Sequence, residues 1–358
     1  MQASTTVALS MLTLVPGAMG GSETYARELT AQLATNDEFA VTAYVPRNAA
    51  GFSRGIPEVV VDGVRTGPTT GARVRALASA SLGRARSATS LRSSRVAHYP
   101  FTIPAPRPAR GQAFVQSLLD VQHLELPALF SKAELAFRRV FYEGAAKKAD
   151  AVITISDFAK TRMVELLDIP AERIHVAQLG VDADAFVPNL GVREDFVLYP
   201  ARGWKHKNHA RLLQAMELIR RVRPEMRLVL TGGGLDQLGT VPEWVDVRGL
   251  VSVDELRDLY RRAAVLAFPS LYEGFGLPPL EAMASGCPVA ATNAGSVPEV
   301  CTGAAVLFDP YDPDAIAAGI LEAIEQSADL TERGLAQVQK FTWSRCRDAH
   351  LDVYRAVA

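Results

Sequence analysis

The sequence has few cysteines and no long apolar run. Its three cysteines, Cys287, Cys301 and Cys346, cannot all pair and show no C-x-x-C spacing, which argues against a disulfide framework or a zinc knuckle. The early apolar run from Val7 to Val15 is too short to span a bilayer, and no lysine or arginine precedes it. These features favour a cytoplasmic protein without a signal peptide.

The sequence also has no strong excess of either charge. Its 38 basic and 39 acidic residues give a formal net charge of -1, so there is no global attraction to nucleic acid or to a membrane. A chain of 358 residues, with 22% charged residues, is typical of a soluble globular protein with two domains of ordinary size.

One segment lacks acidic residues altogether. From Gly63 to Leu119 there is no Asp or Glu, whereas arginine occurs at positions 65, 73, 75, 84, 86, 92, 95, 107 and 110. The part from Gly71 to Ser94 could form a weakly amphipathic helix, with one apolar side made by Val74, Leu77, Leu82 and Leu91. Two interpretations remain open: a solvated, mobile insertion, or a surface for an anionic acceptor or membrane headgroups.

Short apolar runs alternate with helix-period segments, a pattern typical of parallel βαβ units. The predicted strands of the first half are residues 7–14, 41–46, 113–119, 150–156 and 173–178. Those of the second half are residues 195–200, 227–232, 244–249, 264–270, 288–292 and 304–309. A turn-rich linker at 183–194 separates them. We therefore predict an α/β protein with Rossmann-like domains at 1–188 and 189–342, whose strand ends face a central cleft.

The stretch "YEGFGLPPLEAMASG" (272–286) carries two glutamates around a predicted helix start. The proline pair suits a first helical turn, which puts Glu273 on the preceding loop and Glu281 in that turn. The N–H groups of Gly276 and Leu277 at this terminus favour an anion such as phosphate, and the carboxylates suit the hydroxyl groups on either side of it. Alternatively, Glu281 only complements the helix dipole and Glu273 is a turn residue.

Two further clusters follow predicted strands. "PARGWKHKNH" (200–209) places Arg202, Lys205 and Lys207 at a strand end, as a clamp for a diphosphate or as a solvated basic turn. "PGAMGGSETYARELT" (16–30) contains Gly20 and Gly21, which let the backbone approach a ligand closely. This glycine pair is not G-x-G-x-x-G, so a nicotinamide-dependent dehydrogenase is disfavoured.

These motifs together resemble the retaining GT-B glycosyltransferases of family 4 (glycosyl transferases group 1). The resemblance rests on Glu273-x7-Glu281 within "EGFGLPPLEAMASGCPV", on Arg202-x4-Lys207 and on the early glycine pair. It covers almost the whole chain. Residues 153–186 are similar to the end of the family's first domain, and "FTWSRCRDAHLDVY" (341–354) resembles its closing helix. The resemblance thus implies a GT-B fold in which a helix at 343–358 packs back on the N-terminal domain.

The resemblance implies a hexosyltransferase that moves a sugar from a nucleotide diphosphate donor to a hydroxyl acceptor with retained configuration, without metal and without a further cofactor. "HKNH" (206–209) favours GDP-mannose, while UDP- and dTDP-sugars remain open. The acceptor would be a glycan or a lipid-linked glycan in bacterial surface polysaccharide synthesis. The protein would be cytoplasmic, with peripheral contact at the inner face of the membrane through the arginine-rich stretch 65–110. Nucleic acid is not expected as a partner.

The resemblance also implies roles for the donor side of the site. Arg202 and Lys207 would neutralise the leaving diphosphate as catalytic residues, with help from the Gly276 and Leu277 amides. Glu273 would hold hydroxyl groups of the donor sugar.

The other implied donor contacts are substrate-binding. Glu281 would hold the ribose, and the backbone near Gly249 and Leu250 would meet the base. Phe275 belongs to the same binding loop as Gly276, and Gly20 and Gly21 would approach the diphosphate from the other domain. The two glutamates are thus expected to hold ligand groups rather than to act as an acid/base pair.

One departure from the family concerns "LLDVQHLELP" (118–127). Many relatives have a histidine before the aspartate, where this chain has Leu119 before Asp120. Asp120 and His123 are the catalytic candidates here, although His123 could equally be a satisfied histidine at a helix start. Two other function classes remain as alternatives: a catalytically silent subunit that binds nucleotide or glycan, and a GT-B nucleotide-sugar epimerase, which would need no acceptor.

Overall fold

The computed structural model describes residues 5–67, 69–81 and 86–358. The chain forms two compact units: a first unit, which ends at Leu179 and also includes Trp343–Ala358, and a second unit, Gly180–Thr342. The boundary thus lies before residue 180, rather than between 188 and 189 where the sequence placed it. Residues just after it are tied into the second unit, where the Val181 N–H donates to the Phe341 carbonyl at 3.2 Å.

The first unit is built on a seven-stranded parallel sheet in the order β3-β2-β1-β4-β5-β6-β7. The strands are β1 (Thr5–Ser10), β2 (Phe39–Pro46), β3 (Glu58–Val61), β4 (Val96–Tyr99), β5 (Ala113–Ser117), β6 (Ala151–Thr154) and β7 (Ile174–Val176). The helices before the linker are α1 (Gly21–Leu33), α2 (Thr70–Ser81), α3 (Arg86–Ser93), α4 (Gln122–Glu125), α5 (Lys132–Arg138), α6 (Gly144–Ala146) and α7 (Asp157–Leu167).

The second unit contains a six-stranded parallel sheet in the order β10-β9-β8-β11-β12-β13. Its strands are β8 (Glu194–Pro200), β9 (Arg227–Thr231), β10 (Val245–Gly249), β11 (Ala263–Phe268), β12 (Val289–Thr292) and β13 (Val306–Phe308). Its helices are α8 (His209–Val222), α9 (Val253–Arg262), α10 (Leu277–Ala284), α11 (Val297–Cys301), α12 (Pro313–Glu325) and α13 (Ser327–Val338).

The predicted fold class, two Rossmann-like α/β domains with parallel sheets, is confirmed. Every predicted strand overlaps an observed one, because strands of a parallel sheet that are covered on both faces are continuously apolar. Strand β11 is the clearest case, since all six of its residues are buried. Two strands were missed. β3 has only one fully buried residue, Val61, and β4 lies within the arginine-rich segment, where the sequence pattern favours an insertion or a binding surface.

The arginine-rich segment contributes to the core of the first unit. Instead of one helix over 71–94 it forms α2 and α3, and Leu77 and Leu91 are buried in a cluster with residues of the sheet. The interpretation as a solvated insertion is therefore wrong for this apolar side. Arg75 and Arg92 are exposed. Leu82 and Arg84 lie outside the described residues, as does the side chain of Val74.

No helix within the described ranges is both long and apolar enough to cross a membrane. The three cysteines are buried free thiols.

The chain ends in helix α14 (Trp343–Val357), which belongs to the first unit and packs against α1. A buried chain of hydrogen bonds joins α14 to α1, β4 and β5, with distances of 2.7–2.8 Å between successive groups. Its members, in order, are the Cys346 carbonyl, His350, Tyr25, Ser117, His98 and Tyr354.

The direction of these hydrogen bonds follows from one end. Nδ1 of His350 must donate to the Cys346 carbonyl, so its Nε2 accepts from the Tyr25 hydroxyl. Tyr25 must then accept from Ser117, and Ser117 from Nε2–H of His98. The remaining nitrogen of that imidazole accepts from the tyrosine hydroxyl of α14. Every polar group is satisfied with both histidines neutral, which stabilises the docked helix.

The stability of the first unit should depend on pH through these histidines. Burial lowers the pKa of His350 to about 4 and that of His98 well below its usual value. The unfolded chain binds protons that the folded chain excludes, so the free energy of unfolding should fall as the pH falls from about 6.5 to about 4. His350 alone should account for about 3 kcal/mol. Urea unfolding at several pH values gives the free energy of unfolding at each pH. The slope of this free energy against pH should be smaller for His350→Gln than for wild type.

His175→Gln is the matched control, because His175 is only partly buried on β7. Burial also lowers its pKa, and we expect a smaller change in slope than for His350→Gln. An unchanged slope in His350→Gln would contradict a buried neutral imidazole.

A single arginine ties the linker to the second unit. The guanidinium of Arg193 donates to backbone carbonyls at the end of α9, in the linker and after α10, namely those of Asn189, Tyr260, Arg261, Ala263 and Gly286. Carbonyls at a helix C-terminus have no partner within the helix. One rigid planar fork therefore satisfies several of them.

Arg193→Lys should destabilise the second unit by about 2 kcal/mol, because an ammonium cannot reach all of these carbonyls and leaves buried acceptors unpaired. Urea unfolding measures this change. Arg227→Lys, at an exposed position of β9, is the control and should have little effect. Equal stability of the two variants would show that the carbonyl contacts of Arg193 contribute nothing.

Candidate functional site

The two predicted clusters of the second unit follow neighbouring strands. Residues 201–208 come after β8 and residues 269–276 come after β11, and β8 and β11 pair directly in the parallel sheet. The carboxyl ends of neighbouring parallel strands lie at the same edge of a sheet, which is where open α/β sheets bind ligands. The topology therefore brings together side chains that are far apart in the sequence.

The central contact at this edge joins Lys207 and Glu273. The ammonium donates to Glu273 Oε1 at 2.6 Å, and the two side chains are only 15% and 14% exposed. Such a desolvated ion pair is favourable only where the loops that carry the two side chains hold them in good hydrogen-bonding geometry. The ammonium retains donors for an anion, and the carboxylate retains an oxygen for a hydroxyl group.

The loop that carries Lys207 is anchored by Asn208. Its backbone is left-handed with φ 62°, a conformation that asparagine tolerates better than most residues. Its buried amide group donates to the carbonyls of Pro269 at 3.0 Å and Pro310 at 2.7 Å. The Tyr199 hydroxyl also donates to the Lys207 carbonyl at 2.7 Å. These bonds set the direction in which the lysine leaves the backbone.

The loop that carries Glu273 is held by the segment between β12 and α11. The buried Ser296 hydroxyl lies 3.0 Å from the Glu273 carbonyl and 2.8 Å from the Phe275 carbonyl, and it donates to this pair of acceptors. Gly295 passes so close that a Cβ there would lie 2.8 Å from the Glu273 carbonyl oxygen. Only glycine allows this approach.

Helix α10 begins after Gly276, which has φ 111° and caps it without a side chain. Neither the Gly276 nor the Leu277 N–H has an acceptor among the described residues, so both are available to an anion. The predicted position of Glu281 in the first turn is wrong. The helix starts at Leu277, which makes Glu281 its fifth residue. The Phe275 ring is buried and packs edge-on against Phe341 at 5.8 Å, so only its backbone can meet a ligand.

Glu281 has a partner that the sequence did not indicate. The buried Tyr260 hydroxyl of α9 donates to Glu281 Oε2 at 2.9 Å. Burial raises the pKa of the Glu281 carboxyl, while this hydrogen bond and the charge of Arg257 act in the opposite direction.

The loop with Arg202 is shaped by close backbone contacts with the loop after β9. The Gly203 N–H donates to the Gly233 carbonyl at 3.0 Å, and a Cβ on Gly203 would lie 2.0 Å from the Gly234 carbonyl oxygen. The Arg202 guanidinium carbon is 5.4 Å from the centre of the Trp204 ring. The sequence motif did not reveal this requirement for glycine at 203.

The predicted base-contact residues lie at the next strand end. Gly249 is the last residue of β10 and has φ 64°, and the Gly232 N–H donates to its carbonyl at 2.7 Å. Leu250 follows with 78% of its surface exposed. The strand ends of β8, β10 and β11 thus carry the donor-side candidates of the second unit, except Glu281, which lies in α10.

The two histidines within residues 200–209, His206 and His209, add no charge at neutral pH. Burial, followed by the charge of Lys207, lowers the pKa values of His206 and His209 to about 4. The positive charge of residues 200–209 therefore comes from the lysines and arginine.

In the first unit, Gly20 and Gly21 mark the start of α1. Gly20 has φ 57° and occupies the cap position. A Cβ on Gly21 would meet no atom within 4 Å. The backbone here can be approached from outside, as a ligand contact requires.

Asp120 lies in the segment between β5 and α4, and His123 lies in α4. Asp120 Oδ1 accepts the Gln122 N–H at 3.1 Å. His123 is buried, and its Nε2 lies 3.2 Å from Glu143 Oε1. Burial and the charge of Arg138 lower its pKa. His123 is thus held by a carboxylate, and Glu143 is a further candidate that the sequence pattern did not single out.

Comparison with known proteins shows what kind of chain carries this site. Residues 181–337 match the family model "Glycosyl transferases group 1", and residues 19–185 match "Glycosyltransferase Family 4". The chain is 31% identical over 273 residues to O-antigen chain mannosyltransferase B of Escherichia coli, an alignment that covers 69% of this chain and 71% of that protein.

Solved structures share the fold over nearly the whole chain. Sucrose-phosphate synthase of Thermosynechococcus elongatus has a TM-score of 0.82 at 21% identity, with 98% of each chain covered. HepE of Anabaena, solved in complex with UDP-glucose, has a TM-score of 0.74 at 19% identity, with 98% of this chain and 99% of that chain covered. The architecture is therefore GT-B, and the chain belongs to the family 4 (group 1) glycosyltransferases.

Proposed function

We propose that this glycosyltransferase moves a hexose, with mannose favoured, from a nucleotide diphosphate sugar to a hydroxyl group of a glycan or lipid-linked glycan, with retention of the anomeric configuration. The observation that carries the proposal is the Lys207–Glu273 pair at 2.6 Å, in which Glu273 lies three residues before Gly276, the cap of the open N-terminus of α10. The mannosyltransferase name of the Escherichia coli relative supports the choice of sugar and of surface polysaccharide as the product.

The leaving diphosphate takes up negative charge as the bond from C1 to its oxygen breaks. Arg202, Lys207 and the amides of Gly276 and Leu277 would face this charge in a fixed arrangement, which is the most effective form of electrostatic catalysis. These cations supply the positive charge that a metal would otherwise supply, so the proposed reaction needs none. In a retaining transfer the acceptor oxygen forms its bond to C1 on the face that the diphosphate leaves, and its proton passes to the diphosphate.

The remaining contacts define the substrate. Glu273 accepts hydrogen bonds from donor-sugar hydroxyl groups while Lys207 holds its other oxygen. Glu281 accepts from the ribose, and the backbone at Gly249 and Leu250 meets the base.

Two contacts are proposed for the first unit. The backbone at Gly20 and Gly21 would reach the diphosphate. Asp120 and His123 would serve the acceptor side, with Glu143 holding the imidazole through the recorded contact of 3.2 Å. GDP-mannose is the proposed donor, with UDP- and dTDP-sugars as the alternatives.

The site assignment predicts that Glu273→Ala and Lys207→Ala each lower turnover about 100-fold or more, because each removes a preorganised contact to the reacting centre. The measurement is nucleoside diphosphate release from GDP-mannose, UDP-glucose, UDP-N-acetylglucosamine and dTDP-rhamnose. Donor binding is read in the same samples, and it should persist in Lys207→Ala at raised concentration.

Glu325→Ala, at an exposed position of α12, is the matched control and should behave as wild type. Near-normal turnover in either site variant would rule out the assigned roles. Conversion of the donor sugar without any acceptor would favour the epimerase instead.

We further propose that the arginine-rich stretch 65–110 of the first unit contacts anionic headgroups at the membrane. Arg75, Arg92 and Arg107 are exposed there, and no acidic residue from Gly63 to Leu119 offsets them. Each basic side chain near an anionic surface contributes about 1 kcal/mol.

The triple variant Arg75→Gln, Arg92→Gln, Arg107→Gln should therefore bind vesicles of phosphatidylglycerol and phosphatidylcholine at least tenfold more weakly than wild type. Its affinity for the donor should not change. Sedimentation with vesicles measures the first quantity and calorimetry the second. A control with Arg221→Gln, Arg227→Gln and Arg261→Gln, all exposed in the second unit, should retain vesicle binding. Equal binding by both triple variants would contradict a specific surface.

A further inference from the structure

Glu281 presents only one of its two carboxylate oxygens to a ligand. Oε2 accepts the hydrogen bond from the Tyr260 hydroxyl at 2.9 Å. Within the described ranges no hydrogen bond is found at the other oxygen, Oε1. The side chain is partly buried, so this oxygen must find a partner or remain poorly solvated.

The hydroxyl that holds Glu281 is itself rigidly supported. Tyr260 is fully buried, and its ring packs edge-on against Phe186 at 6.2 Å between centroids. The Arg257 guanidinium lies over the Phe186 ring, 5.3 Å from its centre. The Tyr260 carbonyl accepts from Arg193 at 3.3 Å. Ring and backbone are therefore both fixed, and the hydroxyl can point in few directions.

This support matters because a carboxylate in a poorly solvated place tends to become protonated or to rotate. Burial raises the pKa of Glu281, and the Tyr260 hydroxyl and the Arg257 charge counteract the effect. A protonated carboxyl would accept fewer hydrogen bonds from a ligand. A second group that holds one oxygen is the usual way in which a binding side chain is preorganised.

We propose that Tyr260 is a positioning residue that holds the Glu281 carboxylate for a ribose hydroxyl group, and that it thereby makes the enzyme prefer ribonucleoside over deoxyribonucleoside diphosphate sugars. The inference rests on the proposed function, in which Glu281 meets the ribose. It adds α9 to the donor site and favours GDP- and UDP-sugars over dTDP-sugars. A site built to pair a hydroxyl group discriminates strongly against a ligand that lacks it.

The test compares Tyr260→Phe with wild type, a change that keeps the ring and removes only the hydroxyl. Calorimetry gives Kd for whichever of GDP and UDP binds more tightly, and for its 2′-deoxy, 3′-deoxy and 2′,3′-dideoxy forms. Wild type should bind the dideoxy form at least tenfold more weakly than the ribonucleotide. In Tyr260→Phe the ribonucleotide should bind about fivefold more weakly, whereas Kd for the dideoxy form should stay the same.

Tyr99→Phe is the matched control. Tyr99 is also fully buried, and its hydroxyl donates to the Pro106 carbonyl in the first unit at 2.7 Å. It should change none of the dissociation constants. Equal weakening of ribonucleotide and dideoxynucleotide in Tyr260→Phe would mean that the tyrosine only supports the fold, and it would overturn the proposal.

Glu281→Gln separates this inference from the proposed function. The quantity to compare is the ratio of Kd for the dideoxy form to Kd for the ribonucleotide. If Glu281→Gln leaves this ratio unchanged, Glu281 does not meet the ribose, and both the proposed ribose contact and the role of Tyr260 are refuted. If it abolishes the ratio while Tyr260→Phe preserves it, the ribose contact stands and only the role of Tyr260 is refuted. A raised donor KM with an unchanged kcat in Tyr260→Phe would support positioning in the working enzyme.

Discussion

The Lys207–Glu273 ion pair is the interaction on which the site of the second unit depends. Its members stand 66 positions apart in the sequence, and they meet only because β8 and β11 are neighbours in a parallel sheet. Both side chains are largely removed from water, so a loosely held pair would lose more by desolvation than it gains by attraction. The surrounding loops therefore have to be rigid, and Asn208 and Ser296 make them so through buried bonds to backbone carbonyls.

Glycines make the backbone of these loops rigid and closely packed at the strand ends. Gly203 and Gly295 each pass a neighbouring backbone segment at a distance that no side chain would allow. Gly276 ends its loop in a left-handed conformation, and the N–H groups at the start of α10 remain available to a ligand. These loops carry only a few charged side chains, among them Arg202, Lys207 and Glu273. With His206 and His209 kept neutral by burial, the loop after β8 presents its cations without an additional, pH-dependent charge, which suits the binding of a diphosphate.

Much of this arrangement could be predicted because apolar runs, glycine pairs and charged motifs are local features. The parallel strands, the Glu273 and Lys207 clusters and the family membership were all readable in this way. The errors were also physical. β3 has only one fully buried residue, Val61, and β4 lies among arginines. Helix α10 starts at Leu277 because Gly276 takes the cap. The burial of Leu77 and Leu91 was hidden by the arginines around them.

The sequence by itself determined which chemical groups are present and at which strand ends they lie, since strand period and turn composition depend on neighbouring residues alone. Tertiary structure decided which of these groups touch. Three contacts illustrate this: Tyr260 with Glu281, Glu143 with His123, and Arg193 with the Gly286 carbonyl. In each case the two partners lie 20 or more positions apart in the sequence. Such partners depend on which strands become neighbours and on how closely the chains between them pack, and no local pattern of residues encodes that.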